Sequence, residues 1–198
     1  MTDDHKAEMQ ALQAEQRRKA KAAGDPGRGL VLVHTGDGKG KSSSAFGVIA
    51  RALGWGQKVA VVQFIKGSWT TGERQFFDRF PTEVTWKTMG EGFTWDTQDQ
   101  ARDRAAAEAG LAVAAALLAA GEHELVVLDE VNVALRYDLL TVEAVLAALA
   151  ARSIRTNVIL TGRDAKPEVM AAADTVSEMR EVKHAFQSGI LAQRGIDY

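Results

Sequence analysis

The sequence predicts an α/β fold. It reads as a single domain on a mainly parallel sheet with helices on both faces, preceded by an N-terminal helical arm. Two observations carry this. Short apolar runs such as LVLV (30–33), KVAVVQFI (58–65) and LVVL (125–128) alternate along the chain with helical stretches. The first of these runs also leads into a glycine-rich turn and then a helix, the order expected where ligand loops follow strands of an open sheet.

Taken in order, residues 3–23 read as a charged helix with Met9 and Leu12 on one side, cut off by Gly24-Asp25-Pro26-Gly27. Its run Arg17-Arg18-Lys19 reads as a solvated face. Residues 30–33 form a buried strand, 42–53 a helix, 58–65 a second strand and 84–89 a third. A long helix opens at Thr97 through the capping box Thr97-x-x-Gln100 and stops at Gly121. A strand at 125–128 ends in Asp129-Glu130. A helix at 142–151, a strand at 157–160, a short helix from Pro167 and a last strand within 174–182 complete the domain. These divisions predict an arm at 1–27, helical or partly disordered, and an α/β domain at 28–198, with no internal repeat.

With 198 residues, the chain suits one domain with a substantial core. A formal net charge of −2 gives no general attraction to nucleic acid or anionic membranes. The absence of cysteine removes disulfides, thiolate catalysis and cysteine-ligated metal sites. The polar N-terminus lacks an apolar signal region, and the apolar run 105–120 is mostly alanine and carries Glu108. A cytoplasmic protein is expected.

The chemistry concentrates in HTGDGKGKSS (34–43). The common phosphate-loop pattern is G-x-x-x-x-G-K-[ST]. Here only Asp37, Gly38 and Lys39 separate Gly36 from Gly40, so the loop is one residue short. Glycines let backbone N–H groups curl around an anion, and the following helix adds its positive end. Lys41 supplies a charge for phosphate, and the Ser42 hydroxyl can ligate Mg²⁺. Asp129-Glu130 sits where a strand-end carboxylate holds Mg²⁺ directly or through water. Gly90-Glu91-Gly92-Phe93-Thr94-Trp95 places two aromatics between glycines; they could anchor the loop to the core or face a ligand. His5, His34, His123 and His184 lack metal-ligand spacing. No Ser-His-Asp order stands out.

From residue 30 onward the chain closely resembles the bacterial ATP:corrinoid adenosyltransferases that carry a phosphate loop. The matching pieces are TGDGKGKSS (35–43), FGVIARALGWG (46–56), VVQFIKG (61–67), GEGFTWDTQD (90–99), VVLDE (126–130), TGR (161–163) and the segment 173–198. They occur in the family's order. The resemblance implies a P-loop, RecA-like domain that transfers the 5′-deoxyadenosyl group of ATP to cobalt(I) of a reduced corrinoid and releases triphosphate. It implies a nucleotide lying in the reverse sense from ordinary P-loop ATPases, so that the loop holds the whole triphosphate as leaving group. That task accounts for the unusual spacing.

On this resemblance ATP is held by Gly36, Asp37, Gly38, Lys39, Gly40, Lys41, Ser42 and Ser43, with Arg51 and Asn132 assisting. Mg²⁺ or Mn²⁺ lies near Ser42, Glu130 and Asp129. Phe93 and Trp95 pack against the corrin where its lower ligand would sit, and Lys66 is a further corrinoid contact. Lys41, Glu130, Phe93 and Trp95 carry the catalytic expectation. An electron-donating reductase of the flavoprotein kind and a homodimer are the implied partners, with no nucleic acid and no membrane. The family usually has asparagine at the position of Asp37 and threonine at that of Ser42. An ATP hydrolase or motor, and an ATP-sensing module without chemistry, share the loop and Asp129-Glu130, but neither needs Phe93 and Trp95.

Overall fold

Alternation within the apolar strands sorts their side chains onto two faces, and the register keeps those faces aligned across the sheet. The computed structural model describes residues 3–65, 71–89 and 99–198. Among the described residues are six strands: β1 (Val31–Thr35), β2 (Val59–Gln63), β3 (Val84–Thr88), β4 (Leu125–Asp129), β5 (Asn157–Thr161) and β6 (Thr175–Glu178). Every pairing is parallel, in the order β3-β2-β4-β5-β1-β6. Parallel neighbours require crossovers, and the helices between the strands supply them. These are α2 (Lys41–Gly54), α3 (Gly72–Phe77), α4 (Gln100–Ala120), α5 (Val131–Arg136), α6 (Val142–Ala150) and α7 (Pro167–Ala171); α1 (Asp3–Ala22) precedes β1, and a 3-10 turn at Ala185–Ser188 follows β6.

One face of the sheet presents Val59, Val61, Leu125, Val127 and Ile159 to Ala45, Phe46, Ile49 and Ala52 of α2. The other presents Ala60, Val62, Val126, Leu128, Val158 and Leu160 to α4, α5 and α6. Pairing Val59 with Leu125, and Ala60 with Val126, keeps each row on one side. The expected mainly parallel sheet with helices on both faces is therefore the observed fold, and the N-terminal arm is helical. Met9 and Leu12 of that arm are exposed.

The boundaries differ in instructive ways. The long helix α4 starts at Gln100, with Asp99 as its N-cap accepting from the Arg102 N–H. The expected opening at Thr97 is therefore replaced by a cap two residues later; Thr97 itself lies outside the described residues. Its stop at Gly121 holds, with φ +67°. Helices α3 and α5, each six residues long, escaped the sequence reading because neither spans two full turns of apolar periodicity.

Candidate active site

The loop leaves β1 at Thr35 and enters α2 at Lys41. Gly36 and Gly40 have φ of +94° and +113°, the region that glycine alone enters without penalty. Gly36 is required twice, because a Cβ there would lie 2.4 Å from the Met179 carbonyl oxygen. The Gly38 N–H donates to that same oxygen at 2.6 Å. The chain beyond β6 thus braces one side of the loop, and this N–H points to protein instead of an anion. The Gly38 carbonyl accepts from Lys41 Nζ at 2.7 Å.

Gly40 caps α2 without any side-chain hydrogen bond, so the helix opens on N–H groups that no side chain covers. Lys41 is buried. Burial holds its pKa below the usual lysine range; Glu130 opposes this, Arg163 adds to it, and Asp37 opposes it. An ammonium short of hydration gains from a phosphate partner. Beneath the loop, buried His34 supports the helix start. Ser44 Oγ donates to the Lys41 carbonyl at 2.8 Å, and His34 Nδ1 lies 2.8 Å from the same hydroxyl. Burial depresses the His34 pKa, which keeps it neutral in this structural role.

A second group of side chains forms a row across the carboxyl ends of the strands. Asp129, at the end of β4, is buried. Gln63 Nε2 donates to its Oδ2 at 2.9 Å, and Thr161 Oγ1 donates to its Oδ1 at 2.8 Å. Glu130 follows in a left-handed conformation, φ +61°, and its N–H donates to Thr161 Oγ1 at 2.9 Å. Strand β5 lies between β4 and β1, so Thr161 stands between the acidic pair and the loop. Burial pushes the Glu130 carboxyl up to about 7, aided by the charge of Asp129; Lys41 and Arg163 pull it down.

The loop residues 36–43, with Asp129, Glu130 and Asn132, gather at this carboxyl edge. Asp37 is exposed, its Oδ1 4.0 Å from Arg163 Nη1. Lys39 forms an ion pair with Asp197. Ser43 borders a cavity of about 430 Å³ walled by Phe46, Phe76, Phe77 and Ile196. Asn132 is fully buried, and neither its Oδ1 nor its Nδ2 has a hydrogen-bond partner among the described residues. Arg51 is not brought to the loop. It sits in the last turn of α2, roughly 15 Å along the helix from Lys41 at about 1.5 Å per residue. Its neighbours there are Leu125 and Asn157, which begin β4 and β5. Phe93, Trp95 and Lys66 lie outside the described residues.

Gln63, Thr161, Arg163 and His34 are site residues that sequence reasoning gave no role. For Gln63 a signal existed: it is a polar residue in a strand whose five positions are all buried.

Among the described residues no group of three or more His, Cys, Asp or Glu could hold a metal alone. Mg²⁺ needs only one or two carboxylates when phosphates and water complete its shell. The hydroxyl of Ser42 and the carboxylate of Glu130 suit an ion that arrives with a nucleotide.

A glycine loop opening a helix, on an all-parallel sheet with an acidic pair one strand removed, defines a P-loop α/β nucleotide-binding protein. The flagellar accessory protein FlaH of Methanocaldococcus jannaschii shares the fold. Its TM-score is 0.52 at 12% identity, over 77% of this chain and 70% of that one, a likeness of fold alone. The family model described as ATP:corrinoid adenosyltransferase BtuR/CobO/CobP matches residues 27–198, and the chain belongs to that family. The corrinoid adenosyltransferase of Pseudomonas aeruginosa is 55% identical, over 98% of this chain and 95% of its own. That of Escherichia coli K12 is 43% identical over the full length of both. The corrinoid adenosyltransferase CobA of Salmonella typhimurium is 48% identical over 86% of each. No helix among the described residues is long and apolar enough to cross a membrane.

Proposed function

We propose that this protein transfers the 5′-deoxyadenosyl group of ATP to cobalt(I) of a reduced corrinoid, releasing triphosphate, in adenosylcobalamin biosynthesis or salvage. One observation supports this most: the short loop carries a buried Lys41, within electrostatic reach of Glu130, at the start of a helix that no side chain caps. That arrangement suits a highly charged leaving group. Family membership supplies the acceptor.

Cobalt(I) is itself a strong nucleophile, so no general base is required. The protein's part is to orient an in-line attack on the 5′-carbon and to stabilise the departing triphosphate. Lys41, Lys39, Ser42 and the N–H groups opening α2 serve the phosphates, with Lys39 exchanging Asp197 for phosphate. Ser42 and Glu130, backed by Asp129, would hold Mg²⁺ or Mn²⁺, which would supply positive charge for the leaving triphosphate. Asn132, buried with its amide unpaired, is suited to a polar group of the nucleotide. Phe93 and Trp95 face the corrin, with Lys66 beside it. The protein works as a cytoplasmic homodimer, and an electron-donating reductase of the flavoprotein kind supplies the electron that takes the bound cobalt(II) to cobalt(I).

Phosphorus NMR on a reaction with reduced corrinoid tests this directly. Triphosphate should form in step with adenosylcorrinoid. ADP and phosphate formed with turnover would return the chain to the hydrolases.

A further inference from the structure

The row of polar side chains at the strand ends has a fixed direction. Trp86 Nε1 lies 2.9 Å from one end of the Gln63 amide, and an indole N–H can only donate. That end must be the carbonyl oxygen, which also accepts from Thr88 Oγ1 at 3.3 Å. The Gln63 nitrogen therefore faces Asp129, its register partner on the neighbouring strand. On the other side, the Thr161 hydroxyl accepts from the Glu130 N–H, so its own proton goes to Asp129. Both Asp129 oxygens thus receive hydrogen bonds from the flanking strands. Gln63, Asp129 and Thr161 are 5%, 4% and 0% exposed, so water cannot easily substitute for a lost partner.

We infer that Gln63 and Asp129 are positioning residues for the transfer. Gln63, its amide locked by Trp86, holds Asp129 as the acceptor that orients Thr161, and Thr161 in turn holds the Glu130 backbone in its left-handed conformation. Asp129 acts through Glu130 and touches neither metal nor nucleotide. The inference rests on the proposed reaction, in which Glu130 faces the metal. Glu130 is a non-glycine residue at φ +61°, a conformation that persists only when neighbours hold it. Releasing its N–H lets the backbone relax and turns the carboxylate away from the loop.

The direction of the row makes a sharp test. Asp129→Asn offers one acceptor and one donor. If its oxygen faces Thr161, its nitrogen meets the Gln63 nitrogen, and flipping Gln63 only moves the conflict to Trp86; if its nitrogen faces Thr161, the Thr161 proton loses its acceptor. Adding Gln63→Glu removes it, because the introduced carboxylate accepts from both the indole and the Asp129→Asn amide. The pair of substitutions also preserves total charge.

Asp129→Asn should lower kcat by about 10- to 100-fold, the usual cost of losing a group that orients a metal ligand, with ATP affinity little changed. Gln63→Glu/Asp129→Asn should recover at least about tenfold of that loss. In the ligand-free protein, the Trp86 indole proton resonance, assigned with Trp86→Phe, should move in the single variant and return in the double. Wild-type kcat in Asp129→Asn overturns the inference. So does a double variant that regains the indole resonance and thermal midpoint but not kcat, since Asp129 would then act by direct contact. A double variant that fails to restore the resonance overturns the assigned direction. Should Asp129→Asn not fold, Thr161→Ser and Thr161→Val decide: equal kcat in the two removes the link to Glu130. Failure of the wild type to adenosylate corrinoid, with the resonance behaving as expected, would instead reject the proposed reaction.

Discussion

Lys41 Nζ donates to the Gly38 carbonyl at 2.7 Å, a neutral partner for an ammonium that burial has largely stripped of water. In the proposed reaction this bond parks the charge at the loop until a phosphate takes it. Lys41→Ala should weaken ATP binding by about 1.5–3 kcal/mol, the worth of a charge-assisted hydrogen bond in a partly desolvated site. Calorimetric titration with ATP measures it. Near-normal affinity would remove the loop from the phosphate site.

The raised pKa of Glu130 makes ligand-free stability depend on pH in a direction that can be worked out. The unfolded carboxyl titrates near 4.5 and the folded one near 7. Between these values the native state keeps a proton that the unfolded state has released, so this term weakens the fold as pH rises. Depressed pKa values at His34 and His123 act the other way, adding stability as pH rises toward the ordinary histidine range. Comparing wild type with Glu130→Gln cancels the histidines. The variant should gain on wild type by on the order of 1–3 kcal/mol between pH 5 and 8 in denaturant unfolding. A constant difference across that range would mean that Glu130 titrates normally.

Two glycines within a dozen residues should respond in opposite ways to alanine. At Gly36, φ is +94° and the Met179 carbonyl would sit 2.4 Å from the new Cβ, so both backbone and neighbour must move. Gly36→Ala should destabilise by about 1–3 kcal/mol. Gly47 lies inside α2 with nothing within 4 Å of a Cβ. Gly47→Ala should stabilise by about 0.5–1 kcal/mol through helix propensity. Thermal unfolding of the two variants distinguishes them, and equal shifts would contradict the described loop.

How much was legible in the sequence follows from which interactions are local. The strands and the loop could be read because apolar alternation and glycine spacing are properties of adjacent residues. The row Trp86–Gln63–Asp129–Thr161 could not, because it joins four strands and depends on the order β3-β2-β4-β5. Asp129-Glu130 could be found as a pair, but their division of labour rests on the left-handed turn at Glu130. For Arg51 the helix could be read, but its place beside Leu125 and Asn157, the first residues of β4 and β5, depends on how that helix packs on the sheet.

The aromatics Phe93 and Trp95 lie in the sequence outside the loop 36–43 that is proposed to bind phosphate. Phe93→Ala and Trp95→Ala should leave ATP affinity nearly intact while impairing adenosylation when the corrinoid starts as cobalt(II). Parallel assays from cobalt(II) and chemically reduced cobalt(I) separate the steps. Loss of ATP affinity with normal reduction and transfer at saturating ATP would make them anchors of the fold instead.

Asp37 puts a carboxylate in the loop proposed to hold triphosphate, and Arg163 lies where it can offset that charge. The two groups lie 4.0 Å apart with side chains 72% and 48% exposed, so the pair is weak as a stabilising contact. Its consequence is electrostatic: the guanidinium offsets charge that would otherwise repel phosphate. Asp37→Asn should therefore tighten ATP binding by no more than about 1 kcal/mol, with unfolding stability unchanged. Arg163→Ala should weaken binding, and less so when Asp37→Asn is already present, because the charge it masks is gone. Both effects should shrink as ionic strength rises. ATP titrations of the two single variants and the double, at low and high salt, measure the coupling directly. Weaker binding in Asp37→Asn would mean that this carboxylate serves the nucleotide or its metal, and strictly additive effects would mean that Arg163 reaches the phosphates independently of Asp37.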